Sequence, residues 1–218
     1  MINEGSPHAA FAAVIAHPHP LGGGSMHNKV VYHAMKTMCA PEFGFGFPVL
    51  RFNFRGTGRS EGSHDGTAED GDVQAALAWI ENEYRLPVVA AGFSFGAAMT
   101  LAACCGNGAA AWATTHVRAL IAIGLPVRSG AARPKAPAYD YSFLAQCRIP
   151  KLFLSGDRDQ FATETELIQA AAGAAEPKEV ALVPGADHFF TGRLQRMQSA
   201  LAGWLKEQVH DPGQRFRI

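Results

Sequence analysis

Six short apolar runs, separated by segments of helical periodicity, constrain this chain more than any other feature. The runs are Phe11–Ala16, Pro48–Phe54, Leu86–Ala91, Ala119–Ile123, Lys151–Leu154 and Val180–Val183. They are apolar almost throughout rather than at alternate residues, the pattern of strands buried on both faces. Between them, residues 28–38 place Val31, Ala34, Met35 and Met38 on one helical face, and a later segment aligns Val73, Leu77, Ile80 and Tyr84. Thr67, with Asp70 three residues on, is the expected capping box of that second helix. Further helices are expected over Ala97–Cys104, Thr163–Ala172 and Thr191–Gln208, the last with Leu194, Met197, Leu201 and Leu205 in register. Strand–helix alternation of this kind implies an α/β fold: a mostly parallel central sheet with helices on both faces. Functional groups in such sheets gather at the carboxyl ends of the strands.

Length and charge narrow the function classes. At 218 residues the chain suits one sizeable core, so residues 1–218 are expected to form a single domain. The turn-rich stretch 126–148 is expected to be a short excursion over the site, too small to hold a core of its own. Lys+Arg and Asp+Glu both number 19, so no electrostatic attraction to nucleic acid or to an acidic membrane is expected. The first residues lack a basic stretch followed by an apolar one, and no run is long enough to span a bilayer. Cys39, Cys104, Cys105 and Cys147 show no Cys-x-x-Cys spacing, so reduced thiols and a cytoplasmic location are expected.

Gly92-Phe93-Ser94-Phe95-Gly96 lies between one of the apolar runs and a helix. A serine with glycines at i−2 and i+2 in that setting is the geometry of a nucleophile elbow. Side chains at the glycine positions would collide with strand and helix, while the serine hydroxyl stands clear of the sheet. The Phe95 amide would then face an oxyanion formed at that hydroxyl.

Such a serine needs a base within hydrogen-bond reach and an acid to orient the base. His188, in Gly185-Ala-Asp-His-Phe-Phe190, follows the last run and precedes the last helix. The acid is expected after the preceding run, in Ser155-Gly-Asp-Arg-Asp159, where Asp159 is favoured and Asp157 is the alternative. Asp187 adjoins His188, but neighbouring side chains in extended backbone diverge. A second oxyanion donor is expected from the loop His17-Pro-His-Pro-Leu-Gly-Gly-Gly-Ser-Met-His-Asn28, assigned to Leu21 with Gly22 next. The histidines there have no compact ligand spacing, so they are expected to fix the loop rather than bind a metal. Gly22, Met26, Phe93, Phe161 and Phe189 are the expected pocket residues.

His-Pro-His-Pro-Leu-Gly-Gly at 17–23, Asn53-Phe-Arg-Gly-Thr-Gly-Arg-Ser60, the elbow at 92–96, Tyr139-Asp-Tyr-Ser-Phe-Leu144, Ser-Gly-Asp-Arg-Asp at 155–159 and Gly-Ala-Asp-His-Phe-Phe at 185–190 occur in that order. Together they resemble a group of small, nearly lidless bacterial α/β-hydrolases. The resemblance implies the α/β-hydrolase fold, the Ser94–His188–Asp159 triad, a backbone oxyanion hole and no cofactor. With that triad the chain is expected to be a serine hydrolase, and the aromatic residues beside it and the lack of a long lid suit a small or compact aryl or acyl ester or thioester. An acyltransferase or perhydrolase-like enzyme with the same triad, and a non-catalytic binding protein on this scaffold, are the alternatives. Relatives carry one or two strands before the His-Pro-His-Pro run, whereas only a short segment precedes it here. Without those strands the run at 48–54 becomes a sheet edge. It is expected to be covered by a terminal tail or by a partner chain, giving a monomer or a homodimer paired at that edge.

Overall fold

The computed structural model describes residues 1–66, 68–106, 116–128 and 139–209. Its strands are β1 (Ile2–Asn3), β2 (Ala12–Ala16), β3 (Val49–Arg51), β4 (Val88–Phe93), β5 (Val117–Ile123), β6 (Lys151–Gly156) and β7 (Lys178–Val183). The helices treated below are α1 (Lys29–Cys39), α2 (Glu69–Tyr84), α3 (Phe95–Cys105), α4 (Glu164–Ala172) and α5 (Leu194–Val209). The strands form one sheet in the order β1-β3-β2-β4-β5-β6-β7. All neighbours pair parallel except β1, which runs antiparallel to β3.

Why the strands carry unbroken apolar runs is visible in their packing. Ala12, Val14 and Ala16 of β2 face Val73 and Leu77 of α2 and Leu101 of α3. Their neighbours Ala13 and Ile15 face the other layer, with Val30 and Ala34 of α1 and Met197 and Leu201 of α5. Side chains alternate between the two faces of a strand, so a sheet covered twice needs apolar residues at every position. Each fully buried Leu or Ile in these layers, such as Leu77 or Ile80, contributes about 1.5–3 kcal/mol relative to exposure.

The edge expected at β3 is covered by the chain itself. Ile2 and Asn3 pair with Leu50 and Val49. Buried Arg51 holds this addition in place, donating from Nε and Nη2 to Asn3 Oδ1 at 3.2 and 3.0 Å. Its Nη1 donates to the Met26 carbonyl at 3.2 Å, which ties the same edge to the loop after β2. The tail therefore occupies the backbone row at which pairing with a second copy was expected.

Other expectations need correction. The strand expected over 48–54 ends at Arg51, because the chain turns out of the sheet and the Phe54 amide donates to the His17 ring. Thr67 lies outside the described residues, and α2 is preceded at its N-cap by Ala68, which makes no side-chain cap bond. The last helix starts at Leu194 rather than Thr191. Asp187 Oδ1 draws the Phe189 and Thr191 amides into a turn first, and Phe190 takes a φ of 53° within it. Cys105 and Cys147 form a disulfide, while Cys39 and Cys104 are free. This replaces the expectation of four reduced thiols. Residues 129–138 of the expected excursion lie outside the described residues. Among the described residues no helix is long and apolar enough to cross a membrane.

Candidate active site

The crevice between the carboxyl ends of β2 and β4 is where the strand order reverses. From β2 the chain passes through α1 to β3 on one side; from β4 it passes through α3 to β5 on the other. Helices α1 and α3 consequently lie on opposite faces, and the loops at their starts separate. Open parallel sheets bind ligands at such a switch point.

Ser94 stands there with φ 56° and ψ −121°, a conformation that costs a non-glycine residue about 1–3 kcal/mol. The surroundings hold it. Its amide donates to the Ile123 carbonyl at 2.8 Å, and its carbonyl accepts from Ala97 at 2.8 Å. A Cβ on Gly92 would lie 2.2 Å from the Gly96 carbonyl oxygen, and one on Gly96 would lie 2.5 Å from the His17 carbonyl oxygen. Both glycines are therefore required by close backbone approach. Phe95 is the first residue of α3, so its amide has no acceptor within the helix.

Ser94 Oγ donates to His188 Nε2 at 2.9 Å. The other ring nitrogen, Nδ1, donates to Asp159 Oδ2 at 2.8 Å. Asp159 is almost fully buried, and the cost of burying a carboxylate is offset by further donors. Ser155 Oγ donates to Oδ2 at 3.1 Å and the Phe161 amide to Oδ1 at 2.8 Å. Asp157, the alternative, is exposed, and its Oδ1 accepts from the Gly185 amide at 2.7 Å. The imidazole of His188 is packed by Phe93 at 4.9 Å, Phe161 at 4.4 Å and Phe189 at 5.2 Å between ring centroids.

A cavity of about 250 Å³ opens over Ser94 and His188. Phe95, Phe161, Phe189 and Gly22 line it, together with Asn28, Arg128 and Tyr139, none of which is among the expected pocket residues. Their one available signal was position, Arg128 following the end of β5 as Ser94, Asp159 and His188 follow the ends of β4, β6 and β7. Two expected pocket residues are placed elsewhere. Phe93 is fully buried beneath His188, because as the last residue of β4 its side chain joins the α1–α5 layer. Met26 is not among the cavity's lining residues; its amide donates to Asn53 Oδ1 and its carbonyl accepts from Arg51. Leu21 has its side chain in solvent, 73% exposed. The Leu21 amide donates to His19 Nδ1 at 3.2 Å and the Gly22 amide to the His19 carbonyl at 3.0 Å. Both expected second oxyanion donors are thus engaged within their own loop.

His17 fixes the start of that loop. Its Nε2 accepts from the Phe54 amide at 3.0 Å, so Nδ1 carries the hydrogen and donates to the Pro18 carbonyl at 2.6 Å. Burial pulls its pKa down from 6.5 to about 4. Between those values the unfolded chain binds a proton that the folded chain refuses. The stability gained from neutral His17 is therefore complete above pH 6.5 and disappears as pH falls towards about 4, a loss of about 3 kcal/mol. Urea midpoints of the wild type are expected to fall more steeply below pH 6.5 than those of His17→Asn; equal slopes would contradict this. Among the described residues no three His, Cys, Asp or Glu side chains gather to hold a metal ion.

Comparison with known proteins agrees with this architecture. The family described as alpha/beta hydrolase domain matches residues 10–211. An uncharacterized protein of Rickettsia prowazekii (strain Madrid E) is 35% identical over 210 residues, covering 92% of this chain and 80% of its own length. Among solved structures, an alpha-beta serine hydrolase homologue from Coxiella burnetii superposes with a TM-score of 0.76 at 30% identity, covering 94% of this chain and 90% of that one. A member of the serine hydrolases without a lid, from Xanthomonas campestris, gives 0.73 at 27% identity over 94% and 87% of the two chains.

Proposed function

This chain belongs to the alpha/beta hydrolase family, and from that premise we propose that it is a serine hydrolase cleaving a small carboxylic ester or thioester through an acyl-enzyme. The observation that carries this reading is the unbroken chain of hydrogen bonds, 2.9 and 2.8 Å long, from Ser94 through His188 to Asp159. As Ser94 Oγ attacks the carbonyl carbon, its proton passes to His188 Nε2. Asp159 keeps the ring in the tautomer that can accept it and stabilises the resulting imidazolium. The Phe95 amide takes charge from the oxyanion, an interaction worth about two to three orders of magnitude in rate. His188 then returns the proton to the leaving group, and water, activated by the same imidazole, releases the acid. The reacting groups come from the turn after β4, the loop after β6 and the loop after β7.

Cavity size supports a compact substrate. At about 250 Å³ it falls below the roughly 300–1,000 Å³ of sites for drug-sized ligands, and its aromatic walls favour an apolar acyl or aryl group. In a series of p-nitrophenyl esters from acetate to laurate, kcat/KM is expected to peak at the short members. A maximum at laurate would overturn the compact-substrate reading, and release of transfer product in preference to acid on adding alcohol would make the enzyme an acyltransferase.

A further inference from the structure

Arg128 is the one arginine among the described residues that lines the catalytic cavity, and its surroundings hold it there. Its amide and that of Val127 both donate to the Phe161 carbonyl, at 3.0 and 3.1 Å, which anchors its backbone to the loop carrying Asp159. Its Nε donates to Glu166 Oε1 at 2.7 Å. Glu166 is fixed in turn, its Oε2 accepting from the amide and the hydroxyl of Thr163 at 2.9 and 2.7 Å in the capping box of α4.

This arrangement differs from an ordinary ion pair in the same molecule. Arg55 gives both Nε and Nη2 to the Asp72 carboxylate, side-on. Arg128 gives Nε alone, since the second oxygen of Glu166 is engaged by Thr163, and no described residue accepts from its two η nitrogens. A guanidinium presents its donors in a planar fork that matches a carboxylate, and here the η pair is left over at the wall of a cavity. Among the described residues no carboxylate lines that cavity. A second cation, Lys29, stands 5.9 Å from the centre of the Phe189 ring. It is not among the residues that line the cavity, so Arg128 carries the inference.

We propose that Arg128 binds a carboxylate of the substrate, so that the ester cleaved at Ser94 is an anionic one, such as a monoester of a short dicarboxylic acid. This rests on the hydrolase reading above. Glu166 acts as the positioning residue: it turns the guanidinium and leaves its η nitrogens for the ligand.

The test compares phenyl hydrogen glutarate with the phenyl ester of glutaric monoamide, which has the same shape without the charge, and repeats the comparison with 3-acetoxybenzoate and its amide to place the charge on the alcohol side. Arg128 has 52% of its side chain exposed, so solvent screens the contact, and the expected wild-type preference for one anionic member is about tenfold in kcat/KM. The preference should shrink at high salt, disappear in Arg128→Met and partly return in Arg128→Lys. Equal rates on charged and neutral esters in the wild type would overturn the proposal, as would a loss in Arg128→Met equal on both. Glutarate itself, followed by thermal shift, reads the anion site without turnover. Stabilisation of the wild type but not of Arg128→Met, with no ester hydrolysed, would keep the anion site and remove the hydrolase reading. Hydrolysis without charge preference would do the reverse.

Discussion

Ser94→Ala is expected to lower the turnover of an activated ester by about a million-fold, as removal of a triad serine does in other hydrolases, while leaving the fold intact. The substitution removes one oxygen at the cavity floor. The φ of 56° at this position is imposed by Gly92, Gly96 and the Ile123 carbonyl, and alanine meets the same backbone constraint as serine. Thermal midpoints should therefore be close to those of the wild type, so lost activity cannot be ascribed to unfolding. Labelling by a fluorophosphonate probe, which needs a nucleophilic hydroxyl with a base beside it, should be complete in the wild type and absent in the variant. A loss of turnover under about tenfold would remove Ser94 from the mechanism.

Asp159→Asn is expected to cost about ten-thousand-fold in kcat, the size of effect a wrong imidazole tautomer produces. The geometry dictates which way the new amide must face. Oδ1 of residue 159 accepts from the Phe161 amide, so the asparagine oxygen takes that side. Its NH₂ is then left facing His188 Nδ1. A donor there forces the hydrogen of the ring onto Nε2, the atom that must accept the Ser94 proton. Asp157→Asn keeps an oxygen for the Gly185 amide and should change kcat by less than about threefold, as a surface substitution away from the reacting atoms does. The opposite ranking of the two variants would exchange the roles of the two aspartates. Proton inventory by NMR of the His188 ring, showing hydrogen on Nδ1 in the wild type and on Nε2 in Asp159→Asn, would report the cause independently of rate.

Much of this site is legible from local patterns. Apolar runs without alternation dictate a doubly covered parallel sheet, and Gly-x-Ser-x-Gly between a strand and a helix dictates a strained serine with its hydroxyl exposed. Each of these depends on neighbours a few residues away, where chain connectivity fixes the geometry. Pocket walls were less legible. Phe93 adjoins Ser94 but points into the core, since strand alternation sends it to the opposite face. Leu21 is an apolar residue in a glycine-rich loop, yet the His19 ring engages its amide and its side chain is left in solvent.

What the chain alone determined was therefore the layer order, the elbow and the set of polar residues placed after strand ends. Tertiary structure set Asp159 rather than Asp157 against His188, joined Cys105 to Cys147, brought Ile2 and Asn3 to the edge of β3 and placed Arg128 in the cavity wall with no described residue accepting from its η nitrogens. The division has a physical cause. Backbone sterics and hydrophobic periodicity act over a turn or a strand. Contacts between loops far apart in the chain depend on how the intervening helices pack, and on which partner a neighbouring group, such as Thr163 against Glu166, has already taken.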